Sequence, residues 1–280
     1  LRDPQVRTRL ESEQRAHLSV GGDLVNRGKA SRSATVRAKL CGIEIEKSFE
    51  VGAGETLRFE IAPEDDARLS ITDPELWWPY AMGNPTLHEL EVELRLDGEL
   101  SDACSIPFGI REFKSELVEN KHTLYRINGR PLLIRGAGWA TDLFLRRQPE
   151  RDAAQLEYVK SMNLNSIRFE GMLERESFME ECDREGIVVI SGWCCCDCWE
   201  KWDTWDEENH MVATESLRSQ IRRVRHHASM ISWWYGSDFP PPVEVERSYL
   251  KVFDEEYWPN CYQSSAAAKP TEVSGPSGMK

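Results

Sequence analysis

Ser166-Ile167-Arg168-Phe169, a helical stretch, Gly186 and then Ile187-Val188-Val189-Ile190 form the segment whose reading decides the fold. Both short runs are apolar and bounded by polar residues, as strands buried in a parallel sheet are. Between them, residues 174–185 carry Phe178 and Cys182 on one helical face. That stretch stops at Gly186, the residue type suited to the left-handed position that ends a helix. Two strands joined by a helix pair in parallel, since only a crossover of this length returns the chain to the same end of the sheet.

The same grammar extends both ways. Upstream, Pro131-Leu132-Leu133-Ile134-Arg135 reads as a strand ending at Gly136, and a helix follows over 149–162 with Leu156, Val159 and Met162 on one face. Downstream comes a helix over 212–227 with Leu217, Ile221 and Val224, then the strand Met230-Ile231-Ser232-Trp233-Trp234. A helix over 243–256 carries Val245, Tyr249 and Val252, and Glu272-Val273-Ser274 is expected to open a fifth strand. Trp233 and Trp234 are read as core. Repeated βα units fit the first half of a (β/α)8 TIM barrel better than a Rossmann sheet. Gly136-Ala137-Gly138 lacks the third glycine and the helix onset of a dinucleotide loop.

Residues 1–112 follow another rule. Leu18-Ser19-Val20, Ala34 to Leu40, Thr56 to Ile61 and Leu90-Glu91-Val92-Glu93-Leu94-Arg95-Leu96 are short stretches separated by Gly, Asp, Asn and Pro. The last alternates strictly, the mark of a strand with one face buried and one wet. Strands at this spacing with no helix between them predict an immunoglobulin-like β-sandwich. The chain is thus expected to be multidomain, β followed by α/β. The sandwich takes 1–112, and an incomplete, truncated barrel takes 113–280.

A formal charge of −13 disfavours nucleic acid and anionic membrane as partners and suits a cationic ligand. No apolar run approaches the roughly 20 residues that span a bilayer. The chain opens on Leu1 and reads as an interior piece of a longer protein. Of eight cysteines, Cys41, Cys104, Cys182 and Cys261 are scattered, while Cys194, Cys195, Cys196 and Cys198 crowd together. Cys195 and Cys198 form a C-x-x-C, but no second pair lies at zinc spacing and His226-His227 are adjacent. The cluster is therefore read as buried thiols, and neither metal nor cofactor is expected.

A barrel places its active site at the C-terminal ends of its strands. The residues there are Trp139-Ala140-Thr141-Asp142, Glu170-Gly171, Trp193 to Glu200, and Tyr235-Gly236-Ser237-Asp238. Each cluster holds a carboxylate and three hold aromatics. Carboxylates carry protons and bind hydroxyls or ammonium groups, and aromatic faces pack on sugar rings. A carbohydrate site is the economical reading. Its candidate residues are Asp142, Glu170, Trp193, Asp197, Ser237 and Asp238.

Several of these strings resemble glycoside hydrolase family 2. Leu76-Trp77-Trp78-Pro79-Tyr80-Ala81-Met82-Gly83 is similar to its tryptophan–proline–glycine signature, Phe108-Gly109-Ile110-Arg111 to its junction, and Asn128 to Gly136 to its first barrel strand. Asp142 to Arg146, Arg168-Phe169-Glu170-Gly171, Gly192 to Glu200 and Gly236-Ser237-Asp238-Phe239 resemble the exo-β-D-glucosaminidase branch, which carries Ser-Asp where most of the family carries Asn-Glu. The resemblance implies retaining hydrolysis that releases glucosamine from the non-reducing end of chitosan or its oligosaccharides, in a secreted protein. Asp238 would be the general acid/base, its pKa raised by burial and the neighbouring carboxylates, and Glu170 would receive the amine, with Asp142 nearby. It also implies a nucleophile on a later strand, beyond Lys280. These residues alone are then expected to lack turnover, with the remainder of the barrel as partner. A β-mannosidase-like family 2 enzyme and a non-catalytic carbohydrate-binding module are the competing readings.

Overall fold

The computed structural model describes residues 1–142, 144–146, 148–192 and 198–279. It forms two compact units, one of residues 1–77 and 86–111, the other of 78–85 and 112–280.

The first unit is all β. Its strands are β1 (Arg2–Ser12), β2 (Arg15–Val25), β3 (Arg32–Leu40), β4 (Ile43–Val51), β5 (Thr56–Ile61), β6 (Ser70–Thr72), β7 (His88–Leu96) and β8 (Glu99–Phe108). One antiparallel sheet has the order β1-β2-β5 with β6 on β2, and the other runs β4-β3-β7-β8. Period-two alternation does what it should: Leu90, Val92 and Leu94 turn inward and pair with Leu40, Ala38 and Val36. From the other sheet come Leu18, Val20, Phe59 and Ile61, and Phe49 meets Phe59 across the layers at 5.7 Å between ring centroids. Each such side chain fully buried contributes roughly 1.5–3 kcal/mol. Trp77 seals this core and is wholly buried, its N–H donating to the Ile110 carbonyl at 3.0 Å.

The second unit opens with an antiparallel trio, β9 (Phe113–Val118), β10 (His122–Ile127) and β11 (Arg130–Leu132). Then follow β12 (Gly136–Trp139), α1 (Pro149–Ser161), β13 (Ser166–Phe169), α2 (Glu176–Glu185), β14 (Val188–Gly192), α3 (Glu207–Val224), β15 (Met230–Trp234), α4 (Val243–Glu255) and β16 (Cys261–Gln263). The five strands β12 to β16 pair in parallel in the order of the sequence, with no switch point. Ile167, Phe169, Val189 and Trp233 pack with Leu156, Phe178, Leu217, Ile221 and Tyr249 of the helices. Residues of the alternate register include Arg168, Ser232, Trp234 and Gln263, several of them polar and hydrogen-bonded to one another. Ser232 Oγ and Tyr125 Oη both donate to Gln263 Oε1, at 2.5 and 2.7 Å.

Two expected strands lie elsewhere. The apolar run 131–135 closes the antiparallel trio, with Leu133 70% exposed, and the first parallel strand begins only at Gly136. A side chain at 136 is excluded by close approach, since a Cβ there would sit 2.3 Å from the Ser166 carbonyl oxygen. A strand built on glycine for contact carries no hydrophobic signal. The fifth parallel strand is Cys261–Gln263, and Thr271 to Gly275 form a tight reversal instead. α3 also starts five residues earlier than expected, because Asp206 caps it by accepting the Asn209 N–H at 2.9 Å.

Candidate active site

Glu170 directly follows β13, and Ser237 and Asp238 follow β15, so one parallel register carries both groups to the same end of the sheet. Arg168 joins them. Its Nη2 donates to Ser237 Oγ at 3.1 Å and lies 3.8 Å from Glu170 Oε1, while its guanidinium rests 4.8 Å over the Trp234 ring. Glu170 and Ser237 therefore sit around a single guanidinium nitrogen. Gly138 on β12 leaves the Glu170 carboxylate room, for even an added Cβ would stand 4.0 Å from Oε2.

The turn that carries Asp238 is held from the neighbouring loop. Glu200 Oε1 accepts the backbone N–H of Ser237 at 2.7 Å and of Phe239 at 3.2 Å. Asp238 stands between those two amides. It is exposed in this chain, so the burial expected of a general acid is not supplied by these residues.

Asp142, expected near the amine, is engaged within its own loop. Its carboxylate accepts the Phe144 and Arg146 amides at 2.9 and 3.2 Å and pairs with the Arg146 and Arg151 guanidinium groups at 3.1 and 2.5 Å. The Arg146 guanidinium bonded to it holds the carboxyl well below the usual carboxylate range. In this structure Asp142 is a loop cap with its charge already matched. The loops after β12 and β13 do meet, with Thr141 Oγ1 3.8 Å from Met172 Sδ.

Trp193 and Asp197, with Cys194, Cys195 and Cys196, lie outside the described residues. Cys198, the one described member of that cluster, is exposed rather than buried beneath the site. Trp234, read as core with Trp233, has parted from it. Trp233 is 1% exposed among the helices, whereas Trp234 lies under Arg168 and donates Nε1–H to Tyr125 Oη at 3.4 Å. Trp139 turns away from the site, packing on Phe178 at 4.9 Å and donating to Glu174 Oε1 at 3.2 Å.

Sequence reasoning gave Arg168 and Glu200 no role. Both were visible as charged residues inside strings with recognised likeness, and only the parallel register shows what they touch.

The described residues include one group with metal-ligand composition, Glu176, His226 and His227. His227 Nδ1 is 2.6 Å from Asp183 Oδ2 and Nε2 is 3.0 Å from Glu176 Oε1. Burial by itself favours the neutral ring, but the two carboxylates outweigh it and push the pKa up to about 9. His227 is thus bracketed by two carboxylates, and the group forms an ion cluster.

Residues 1–111 match the family described as Glycosyl hydrolases family 2. The whole chain aligns with the exo-beta-D-glucosaminidase of Streptomyces avermitilis at 36% identity and with that of Amycolatopsis orientalis at 33%, spanning 32% and 27% of their lengths. The crystal structure of the Amycolatopsis orientalis exo-chitosanase CsxA superposes on 100% of this chain and 33% of its own, with a TM-score of 0.93 at 32% identity. That protein is also known in complex with PNP-beta-D-glucosamine. This chain thus spans about a third of the proteins it is similar to. Residues 1–111 thus match glycosyl hydrolase family 2, and the entire length is similar to exo-β-D-glucosaminidases.

Proposed function

We propose that this chain is the immunoglobulin-like sandwich and the first half of the (β/α)8 barrel of a secreted exo-β-D-glucosaminidase. The complete protein releases β-D-glucosamine from the non-reducing ends of chitosan or its oligosaccharides with retention. The sequential order of five parallel strands, without a switch point, supports the barrel. The observation that carries the function is the gathering of Glu170 and Ser237, with Asp238 beside it, about Arg168.

In this reading Asp238 protonates the departing glycosidic oxygen and then takes a proton from the incoming water. The remainder of the barrel encloses it. It also supplies the nucleophile, at the separation of about 5–5.5 Å that retention requires. Glu170 accepts from the 2-ammonium group, a charge-assisted contact of roughly 1.5–3 kcal/mol that a neutral 2-hydroxyl does not match. The 280 residues alone have no turnover.

The test is hydrolysis of PNP-β-D-glucosaminide and PNP-β-D-mannoside by the complete protein and its Asp238→Asn variant. Glucosaminide preference and a collapse of rate in the folded variant are expected. Preference for mannoside would replace the reading with a β-mannosidase, and an unaffected variant would reduce these loops to a binding module.

A further inference from the structure

Residues between 198 and 212 line an aromatic cavity that the proposed acid/base machinery does not use. Two single 3-10 turns, Cys198–Glu200 and Trp202–Thr204, lead into α3. Cys198, Trp199, Trp205, Glu208, Asn209 and Val212 line a cavity of about 290 Å³. This lies at the small end of small-molecule sites, which run from about 300 Å³ upward.

Its geometry is fixed from below. Trp199 and Trp205 stand edge to face, 6.4 Å apart and inclined at 80°, and together they form a corner. Trp205 donates Nε1–H to the Cys198 carbonyl at 2.7 Å and meets His210 at 82° on its far side. Both indoles also pack against the helical core, so the corner is backed by buried side chains. Asp206 accepts the Asn209 N–H at 2.9 Å and sets the start of the helix that carries Glu208.

The chemistry of the wall is selective. The C–H face of a pyranose chair packs on one indole face while its edge meets the other. Around the corner lie Asp203, Asp206, Glu207 and Glu208 against a single Lys201, so the local field favours a cation. Glu208 lines the cavity itself and is exposed. A neutral sugar would use the rings and waste the charge. An amino sugar uses both.

We infer that this corner is an accessory binding site for a second glucosamine unit of the polymer, stacked on Trp205 with its ammonium group toward Glu208. The inference rests on the proposed function, and it adds a contact that a monosaccharide held at Glu170 does not make. Glu200 links the two regions, being adjacent to Trp199 in sequence and bonded to the Ser237 and Phe239 amides.

The test is titration calorimetry on the complete polypeptide carrying Asp238→Asn, with glucosamine, its trimer and the N-acetylated trimer as probes. Glu208→Gln should weaken the glucosamine trimer roughly tenfold or more relative to the monomer, the worth of one charge-assisted contact, and should not alter the N-acetylated trimer. Trp205→Ala, checked for folding by circular dichroism, should weaken both trimers. A trimer that binds no better than the monomer, or trimer affinity indifferent to both substitutions, would overturn the site. PNP-β-D-glucosaminide turnover by the parent protein separates the two ideas: its absence removes the proposed activity, while calorimetry still decides the cavity.

Discussion

Glu200 and Ser237 are joined by a 2.7 Å hydrogen bond in which a carboxylate on one strand-end loop accepts a backbone N–H on the next. The same oxygen takes the Phe239 N–H, so the turn that carries the residue between, Asp238, is held by Glu200. A general acid works only within hydrogen-bond reach of the leaving oxygen, and small displacements are costly. If Asp238 is the general acid as proposed, Glu200 acts as a positioning residue.

Glu200→Ala in the complete protein should lower kcat for PNP-β-D-glucosaminide by roughly tenfold to a hundredfold, the worth of one charge-assisted hydrogen bond. KM should move far less. Glu200→Gln keeps an acceptor oxygen and should restore most of the rate. Steady-state kinetics on both variants check this, and equal losses in the two would mean that charge rather than position is what matters.

Asp142 and Glu170 should part company under substitution. Asp142 is spent on Arg146, Arg151 and two amides, so Asp142→Ala should loosen its own loop. Faster proteolysis or amide exchange over residues 142–151 would report it, together with a modest rise in KM for every substrate. Glu170→Gln should leave the fold intact and erase discrimination between 2-amino and 2-hydroxy glycosides, a loss of roughly tenfold to a hundredfold on the amino substrate alone. The ratio of kcat/KM for the two glycosides is the readout.

Gly186 shows how one residue can be read correctly and still be underestimated. Its type and place predict the left-handed end of a helix, and it has φ +66° at the end of α2. The structure adds crowding: a Cβ at 186 would lie 2.6 Å from the Tyr80 nitrogen, which donates to the Gly186 carbonyl at 3.0 Å. Gly186→Ala should therefore cost more than the roughly 1 kcal/mol that backbone conformation alone implies. A loss of several kcal/mol in the unfolding free energy, read from urea titration as a lower midpoint, is expected, against a small change for Gly129→Ala, which also has positive φ but open space.

Much of the fold was legible because buried faces impose period two on strands and 3.6 on helices. Leu90 to Leu96, Met230 to Trp234 and the 243–256 helix fall within a residue or two of where their patterns put them. What escaped has physical causes. β12 is glycine at its points of contact, and β16 carries Gln263 into a buried hydrogen-bond network, so neither looks apolar. The site was legible by residue type but not by partner. Asp142 and Glu170 look alike in a string, and nothing local reveals that two arginines neutralise the first while the second stays at the strand end.

His227 offers a test of the ion cluster through pH. It is wholly buried, bracketed by Asp183 at 2.6 Å and Glu176 at 3.0 Å, with the His226 ring 4.2 Å away and Arg223 3.8 Å from the other Glu176 oxygen. Its pKa, raised in the folded state from 6.5 to about 9, means that the folded protein holds this proton more tightly than the unfolded chain. The sign follows: the stabilisation is fully present below pH 6.5, declines as pH rises, and is lost above about 9. A rise of that size corresponds to about 3 kcal/mol at most. Urea unfolding at pH 6 and at pH 9.5 should therefore show the parent protein losing stability on the alkaline side. His227→Gln should be weaker at pH 6 and should flatten that difference. A parent whose stability is the same at both values would mean that His227 is neutral in its pocket. The Glu176 carboxyl, pulled below its ordinary range by the two histidines despite its partial burial, would then need another partner.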